Sequence, residues 1–393
     1  MSGSVIVAGA RTPIGKLSGS LGGFAATELG GFAIAAALER AGIKPEQVDY
    51  VFMGQVIQAG AGQITARQAA TKGGIPMSVA ATTVNKVCLS GLNAIYLADL
   101  MINAGEADIV VAGGMESMTQ APYLLPGARA GYRIGDATMV DSMMYDGLFC
   151  AFDQRAMGLS TELYNGADGV SRERQDAFSA LSHERAAAAI KDGKFAEEIV
   201  AVSVPQRRGD PIVVDTDEGV RPETTAESLG KLRPAFDKNG TITAGNASQI
   251  SDGGAAVIVM SKAKAEELGL SPVGELVGYG QVAGPDPSLL HQPSHALKVA
   301  LDKAGVALGD VDLFEINEAF AAVGLASADD LGIPEDKLNV NGGAIALGHP
   351  VGMSGTRLAL TSLLELKRRG GGTAAVSLCG GGGQGDAAVL RTL

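Results

Sequence analysis

Two distant stretches of this chain are near copies of each other, and that restricts the fold more than any composition figure does. Leu38-Glu-Arg-Ala-Gly-Ile leads on to Val48-Asp-Tyr, and Leu301-Asp-Lys-Ala-Gly-Val leads on to Val311-Asp-Leu, at a constant offset of 263. Leu, Ala, Gly, Val and Asp coincide, with conservative swaps beside them. Each copy reads as a helix closed by glycine and followed by a strand. A second echo pairs Val84-Asn85 with Val340-Asn341, each opening a turn built of small residues. Two like halves imply a pseudo-dyad, with a site where the halves meet.

The rest of the pattern fits two such halves. Strands are expected at 5–9, 50–56, 80–87 and 108–112, with helices at 25–41, closed by Gly42, and at 92–105. Strands alternating with helices imply a mainly parallel sheet covered on both faces. Between 117 and 245 the character changes: 126–135 reads as a projecting loop, 172–191 as a charged, alanine-rich helix, and 205–235 as mostly loop. The chain returns through Gly245-Asn-Ala-Ser and a strand at 255–260, after which 275–393 repeats the opening pattern. The expected organisation is an α/β first half at 1–117 completed by 246–272, an inserted loop or lid domain at 118–245, and a second half at 273–393.

Composition excludes several classes of function. The net charge of −12, without a long basic block, argues against nucleic acid. Lys367-Arg368-Arg369 ends a helical pattern and complements its dipole. No apolar run reaches the length of a membrane span, and the first residues already read as a strand, so a cytoplasmic protein is expected. Three cysteines and four histidines in no ligand spacing predict neither a disulfide framework nor a metal. Arg207, Arg208, Arg221, Lys231 and Arg233 form the best candidate for holding an anionic ligand.

Candidate chemistry gathers at cysteines and one histidine set among glycines. Residues 340–357 place five glycines and a proline around His349, on a backbone that glycine allows to approach a ligand. Cys88 stands between a strand and a helix, where free N–H groups and the helix dipole are expected to lower a thiol pKa. Cys379 ends a strand and meets four glycines, whose N–H groups could face an oxyanion. Cys150, between apolar neighbours, reads as packing. Gly380–Gly385 matches a dinucleotide fingerprint but runs into a strand, which excludes nicotinamide binding. Asn317 either caps the following helix or orients a water or carbonyl. His183 on the charged helix is expected to be solvated, and His291 and His295 to lie at the surface or to play supporting roles.

These stretches together resemble the thiolase family: Asn85-Lys-Val-Cys-Leu-Ser-Gly, Gly245-Asn-Ala-Ser, Asn317-Glu-Ala-Phe, Asn341-Gly-Gly-Ala-Ile-Ala-Leu-Gly-His-Pro and Cys379-Gly-Gly-Gly-Gly-Gln-Gly, in family order along the whole chain. The likeness is closest to the short-chain, acetyl-CoA-using branch. It implies two duplicated five-stranded α/β halves in an α-β-α-β-α stack. It implies that Cys88 is the acylated nucleophile, His349 its base, and Cys379 the residue that deprotonates a second acetyl-CoA or activates coenzyme A. One oxyanion hole would come from His349 and a water on Asn317, the other from the N–H groups of Cys88 and Gly381. Ser248 would bind the pantetheine arm, while Leu148, Met157, Arg221, Ser228 and Phe236 would line the nucleotide end, with Ala319 and Phe320 beside the substrate. Coenzyme A would be a substrate, with no covalently bound cofactor, and the loop near 125–140 would build a homotetramer, a dimer of dimers. Two departures from the short-chain pattern bear on acyl preference: Ala156-Met157-Gly158 where His-Met-Gly is common, and Leu289-Leu290-His291-Gln292-Pro293 in place of a Met-Gly-Gly-Pro-like run.

The competing readings are a broader 3-ketoacyl-CoA thiolase of fatty-acid breakdown and an inactive acyl-CoA-binding protein. A decarboxylating ketosynthase would need a second histidine in a motif. A cysteine hydrolase would leave Cys379 unexplained.

Overall fold

The duplicated residues do the same physical work twice in this computed structural model, which describes residues 3–166 and 169–393. Helix α1 (Ala26–Ala41) ends at Gly42, whose φ of 67° is left-handed and whose N–H closes the last turn. Its counterpart, residues 292–304, ends at Gly305 with φ 63° in the same way. Glycine adopts this conformation without a Cβ clash, so Ala-Gly recurs as a helix stop. The paired aspartates clamp neighbouring strands. Asp49 accepts the N–H groups of Asp108 and Ile109 at 2.9 Å, and Asp312 accepts that of Thr373 at 2.9 Å.

In the first half, β1 (Ser4–Arg11), β2 (Tyr50–Gly54), β3 (Ala80–Val84), β4 (Ile109–Ser117) and β5 (Ser251–Ser261) form a sheet in the order β1-β5-β4-β2-β3. Pairing is antiparallel from β1 to β4 and parallel from β4 to β3. Helix α1 and α2 (Thr65–Lys72) cover its outer face, and α3 (Ser90–Asn103) its inner one. Between β4 and β5 lie helices α4 (Met157–Asn165) and α5 (Arg172–Lys191) and three two-stranded ribbons, none joined to the large sheets among the described residues.

The second half repeats the order with β6 (Glu275–Ala283), α6 (Gln292–Ala304), β7 (Leu313–Ile316), α7 (Ala321–Leu331), α8 (Ser354–Arg368), β8 (Thr373–Gly380) and β9 (Gln384–Arg391). Its sheet runs β6-β9-β8-β7, with the same antiparallel-to-parallel change. The fifth strand expected here is reduced to one bridge, Phe314 to Leu338. Asn339 follows at φ 45°, and its side-chain amide pairs with both the N–H and the carbonyl of Ile316 at 2.9 Å. A side chain thus replaces the strand's backbone ladder.

Helices α3 and α8 fill the space between the sheets, where Leu92, Ile95 and Ala98 meet Leu360, Leu363, Val376 and Leu378 in one buried core. This is the middle layer of an α-β-α-β-α stack. The two helices touch through glycine. A Cβ on Gly355 would lie 2.4 Å from the Leu92 nitrogen, and one on Gly91 would lie 2.7 Å from Thr356 Oγ1. Both glycines are the second residue of their helix, preceded by Ser90 and Ser354. The N-termini of α3 and α8 therefore meet, and with them the turns that carry Cys88 and His349.

The inserted segment is pinned to both halves. Arg11 of β1 is fully buried and bonds Glu198 at 2.7 Å and Asp217 at 2.7 and 2.9 Å, with its guanidinium 5.1 Å from the Phe195 ring centre. Ser182 of α5 donates to Glu318, and Asn246 donates to Asp176. Such paired buried charges specify one arrangement, because removing either partner strands the other.

Candidate active site

The turn between β3 and α3 is held in a strained shape. Val87 has φ 51°, a left-handed conformation that a β-branched residue adopts only when its surroundings enforce it. Asn85 Oδ1 accepts the Val87 N–H at 3.1 Å. Ser90 Oγ accepts the Lys86 N–H at 2.8 Å and donates to the Val87 carbonyl at 2.6 Å. Cys88 sits on this turn, half-buried, and the N–H groups of Cys88 itself and of Gly381 act on its thiol to favour the charged form. The lowered thiol pKa expected from the helix start is not found. Burial pushes Cys88 up to about 12, the nearby Glu116 charge adds to the rise, and the two N–H groups offset only part of it. Helix α3 begins two residues further on, and desolvation outweighs its dipole.

The second half supplies the other groups. His349 is buried, and its Nδ1 lies 2.6 Å from Ser354 Oγ, which donates to the Pro350 carbonyl at 3.0 Å. With the hydroxyl proton so placed, Nδ1 carries the ring hydrogen and Nε2 keeps its lone pair. Burial, then the Arg357 charge, pushes the imidazole down to about 3, so it rests neutral. Asn317 Nδ2 lies 3.4 Å from Nε2, and Asn317 Oδ1 is buried without a partner among the described residues. Asn317 does not cap α7, which starts at Ala321 after Phe320. Cys379, at the end of β8, is 1% exposed; burial raises its pKa and the Cys88 charge raises it further.

Two buried carboxylates brace these loops. Glu116 accepts the N–H groups of Val56, Ile57 and Gly352 at 3.0–3.1 Å, tying β4 to the loops on both sides of the site. Glu318 accepts from Ser182, Asn339 and the Ile345 N–H, joining the Asn317 loop, the His349 loop and α5.

An apolar cavity of about 480 Å³ leads to this centre. Leu148, Met157, Phe236, Ser248, Phe320 and His349 line it, as does Ala156. Cys88 packs among Met118, Leu148, Ile250 and Val351, all of which line the cavity as well, while Cys379 shares a core with Met157, Ala319 and Phe320. Neither thiol is itself in the lining; each packs against residues that are. A second cavity of about 700 Å³ is lined by Val87 and Gly381, with Met157 common to both. Arg221 and Ser228 are exposed and outside the first cavity's lining. Of the basic cluster, Lys231 pairs with Glu227 and the four arginines lie on exposed surface.

Other expectations change. His183 is buried rather than solvated: Nδ1 accepts the Arg221 N–H at 3.1 Å, and burial, helped by the Arg221 charge, lowers the imidazole to about 4. The polar face of α5 packs inward because the loops beneath it need hydrogen-bond partners. Leu289 and Leu290 are buried in the Cys379 core, whereas His291 pairs with Asp330 at the surface and His295 is exposed. Cys150 is buried in that same core, as packing requires. Sequence reasoning missed Ser354, Glu116 and the lining residues Lys16, Met144 and Gln249. The echo of Ser90-Gly91 in Ser354-Gly355 was a usable signal for the first, and a lone glutamate in the apolar run of β4 for the second.

Residues 4–263 match the family model for the N-terminal domain of thiolase, and 270–392 the model for its C-terminal domain. A probable acetyl-CoA acetyltransferase of Mycolicibacterium smegmatis is 60% identical, covering 98% of this chain and all of its own length. One from Mycobacterium tuberculosis, also named as probable, is 57% identical over the whole of both chains. The acetyl-CoA acetyltransferase of Cupriavidus necator is 54% identical, again over both full lengths.

Proposed function

The chain belongs to the thiolase family, and from that premise we propose that it is an acetyl-CoA C-acetyltransferase, joining two acetyl-CoA into acetoacetyl-CoA and coenzyme A and catalysing the reverse thiolysis. The observation that carries this is His349 in the lining of one apolar cavity, with Asn317 Nδ2 3.4 Å from its Nε2 and with Cys88 and Cys379 each packed against residues of that same lining.

Acyl transfer starts from a neutral thiol and a neutral imidazole. Cys88 attacks the thioester carbonyl as His349 Nε2 takes the thiol proton, and the collapsing intermediate expels coenzyme A as a thiolate. That thiolate takes its proton from Cys379, which leaves Cys379 a thiolate and His349 protonated at Nε2. The acetyl group is then held as a thioester on Cys88, its oxygen facing the N–H groups of Cys88 and Gly381. A second acetyl-CoA enters and Cys379 removes its α-proton. The enolate oxygen is stabilised by the N–H that His349 Nε2 now carries and by a water on Asn317. The carbanion attacks the acetyl carbon, and Cys88 leaves as thiolate and regains its proton from His349. Each oxyanion donor supplies roughly 3 kcal/mol of transition-state stabilisation.

Ser248 and the apolar lining suit the pantetheine arm, and Arg221 and Ser228 at the surface suit the nucleotide end. The loop bearing exposed Leu125, Tyr132, Ile134 and Met139 suits the contact of a homotetramer. No helix among the described residues is long and apolar enough to cross a membrane, and free thiols fit a reducing cytoplasm.

Mass spectrometry after brief incubation with acetyl-CoA tests the reading. An acetyl adduct on Cys88 that coenzyme A discharges is expected; binding without an adduct would make the chain an inactive acyl-CoA-binding protein. A chain-length profile separates the rival 3-ketoacyl-CoA thiolase: activity falling sharply beyond four carbons supports the proposal, and a flat profile supports the rival.

A further inference from the structure

The two N–H groups that favour the Cys88 thiolate, its own and that of Gly381, come from parts of the chain with no covalent reason to be in register. One belongs to the turn before α3, the other to the hairpin joining β8 to β9. Three residues of the turn touch that hairpin. Leu89 packs under Gly380, where a Cβ would lie 2.6 Å from its Cγ, and Val87 packs beside Gly381, where the distance is 3.4 Å. These two contacts are apolar and non-directional. The third is directional: Lys86 Nζ bonds both carboxylate oxygens of Asp386, at 2.7 and 2.9 Å.

Asp386 stands opposite Leu378 in the β8–β9 ladder, one register position before Cys379 and Gly385. Its side chain is wholly buried, and its Oδ2 also accepts the Tyr279 hydroxyl at 2.6 Å. The Tyr279 ring stacks on Tyr96 of α3 with centroids 4.0 Å apart and planes within 1°. Asp386 therefore grips the nucleophile turn from both sides, through Lys86 before Cys88 and through Tyr279 and Tyr96 after it. A strained turn is where such a grip matters, because Val87 at φ 51° relaxes if its anchors loosen.

We propose that Lys86 and Asp386, completed by Tyr279, are positioning residues that hold the Cys88 turn against the Gly381 N–H, so that acyl transfer to Cys88 depends on the pair. The pair touches no substrate and acts on the geometry of the oxyanion donors. The proposal rests on Cys88 being the acylated residue.

Rapid-quench acetylation of the full-length protein by acetyl-CoA, read by intact mass, tests it. Lys86→Met is expected to slow acetylation by roughly tenfold or more while leaving KM within about twofold, as misplacement of an oriented donor does. Iodoacetamide, which needs no oxyanion hole and responds only to the thiolate fraction, should still alkylate Cys88 and be slowed much less than acetylation is. Lys86→Arg should recover most of the loss. Because Lys86→Met strands a buried carboxylate, Lys86→Met/Asp386→Leu is measured beside it, and is expected to melt near the wild type yet acetylate as slowly as the single variant. Tyr279→Phe keeps both charges and should slow acetylation by roughly threefold, the loss of about one modest hydrogen bond. A wild-type acetylation rate in the double variant, or in Tyr279→Phe if the double variant does not fold, would overturn the proposal. No adduct on Cys88 in the wild type would instead remove the assignment of Cys88, and this proposal with it.

Discussion

Replacing Gly355 with alanine drives a methyl group into the backbone of α3. The added Cβ would lie 2.4 Å from the Leu92 nitrogen and 2.8 Å from Leu92 Cβ, against an ordinary contact of about 3.5 Å. The neighbour is main chain and cannot rotate aside, so α3 and α8 must part by about 1 Å at their N-termini. Those ends carry the Cys88 turn and follow the His349 loop, so the separation falls between nucleophile and base. A misplacement of about 1 Å costs on the order of a hundredfold in rate, and overpacking of this kind destabilises by about 1–3 kcal/mol. The assay is single-turnover acetylation of Cys88, with thermal melting alongside. Gly309→Ala serves as the control, since a Cβ there meets nothing within 4 Å. Acetylation of Gly355→Ala at the wild-type rate would refute the view that the helix crossing sets the catalytic distance.

The remaining expectations separate steps and protonation states. Cys379→Ala should keep the acetyl adduct on Cys88 but lose condensation and thiolysis; losing the adduct would show that Cys379 acts earlier. With Cys88 pushed up to about 12, its alkylation in the free protein should rise continuously from about pH 6 to 10; a plateau near neutrality would reveal a depressed thiol. His183 has a folded pKa near 4, below the 6.5 of the unfolded chain. The folded state therefore binds the proton less well, and its stability, full above pH 6.5, is lost as pH falls through 4. Melting temperature should drop over that range, and drop less in His183→Asn.

The parts of the fold legible in the sequence were those where one physical task recurs. Gly42 and Gly305 stop helices, and Asp49 and Asp312 clamp strands, so the repeat could be read before any coordinate. Cys88, His349 and Cys379 were legible because a reactive side chain among glycines has few structural excuses. The missing fifth strand was not legible: Asn339 substitutes for a ladder through its side chain, and Val340-Asn341 looks no different from the start of a turn. The high pKa of Cys88 was also hidden, because a sequence shows the helix behind a thiol but not the water excluded around it. His183 misled for a related reason, since polar residues on α5 read as a solvated face when they are partners for Glu318 and the Arg221 backbone.

The glycine crossing of α3 and α8 also has a bearing on how such a chain can be divided. Gly91 and Gly355 occupy equivalent places in the two copies, so neither half owns the contact, and either half expressed alone would present a helix start with nothing across from it. A chain cut in the connection after β5 should regain turnover only when both fragments are mixed. The complementation would report directly on how well two glycine surfaces find each other.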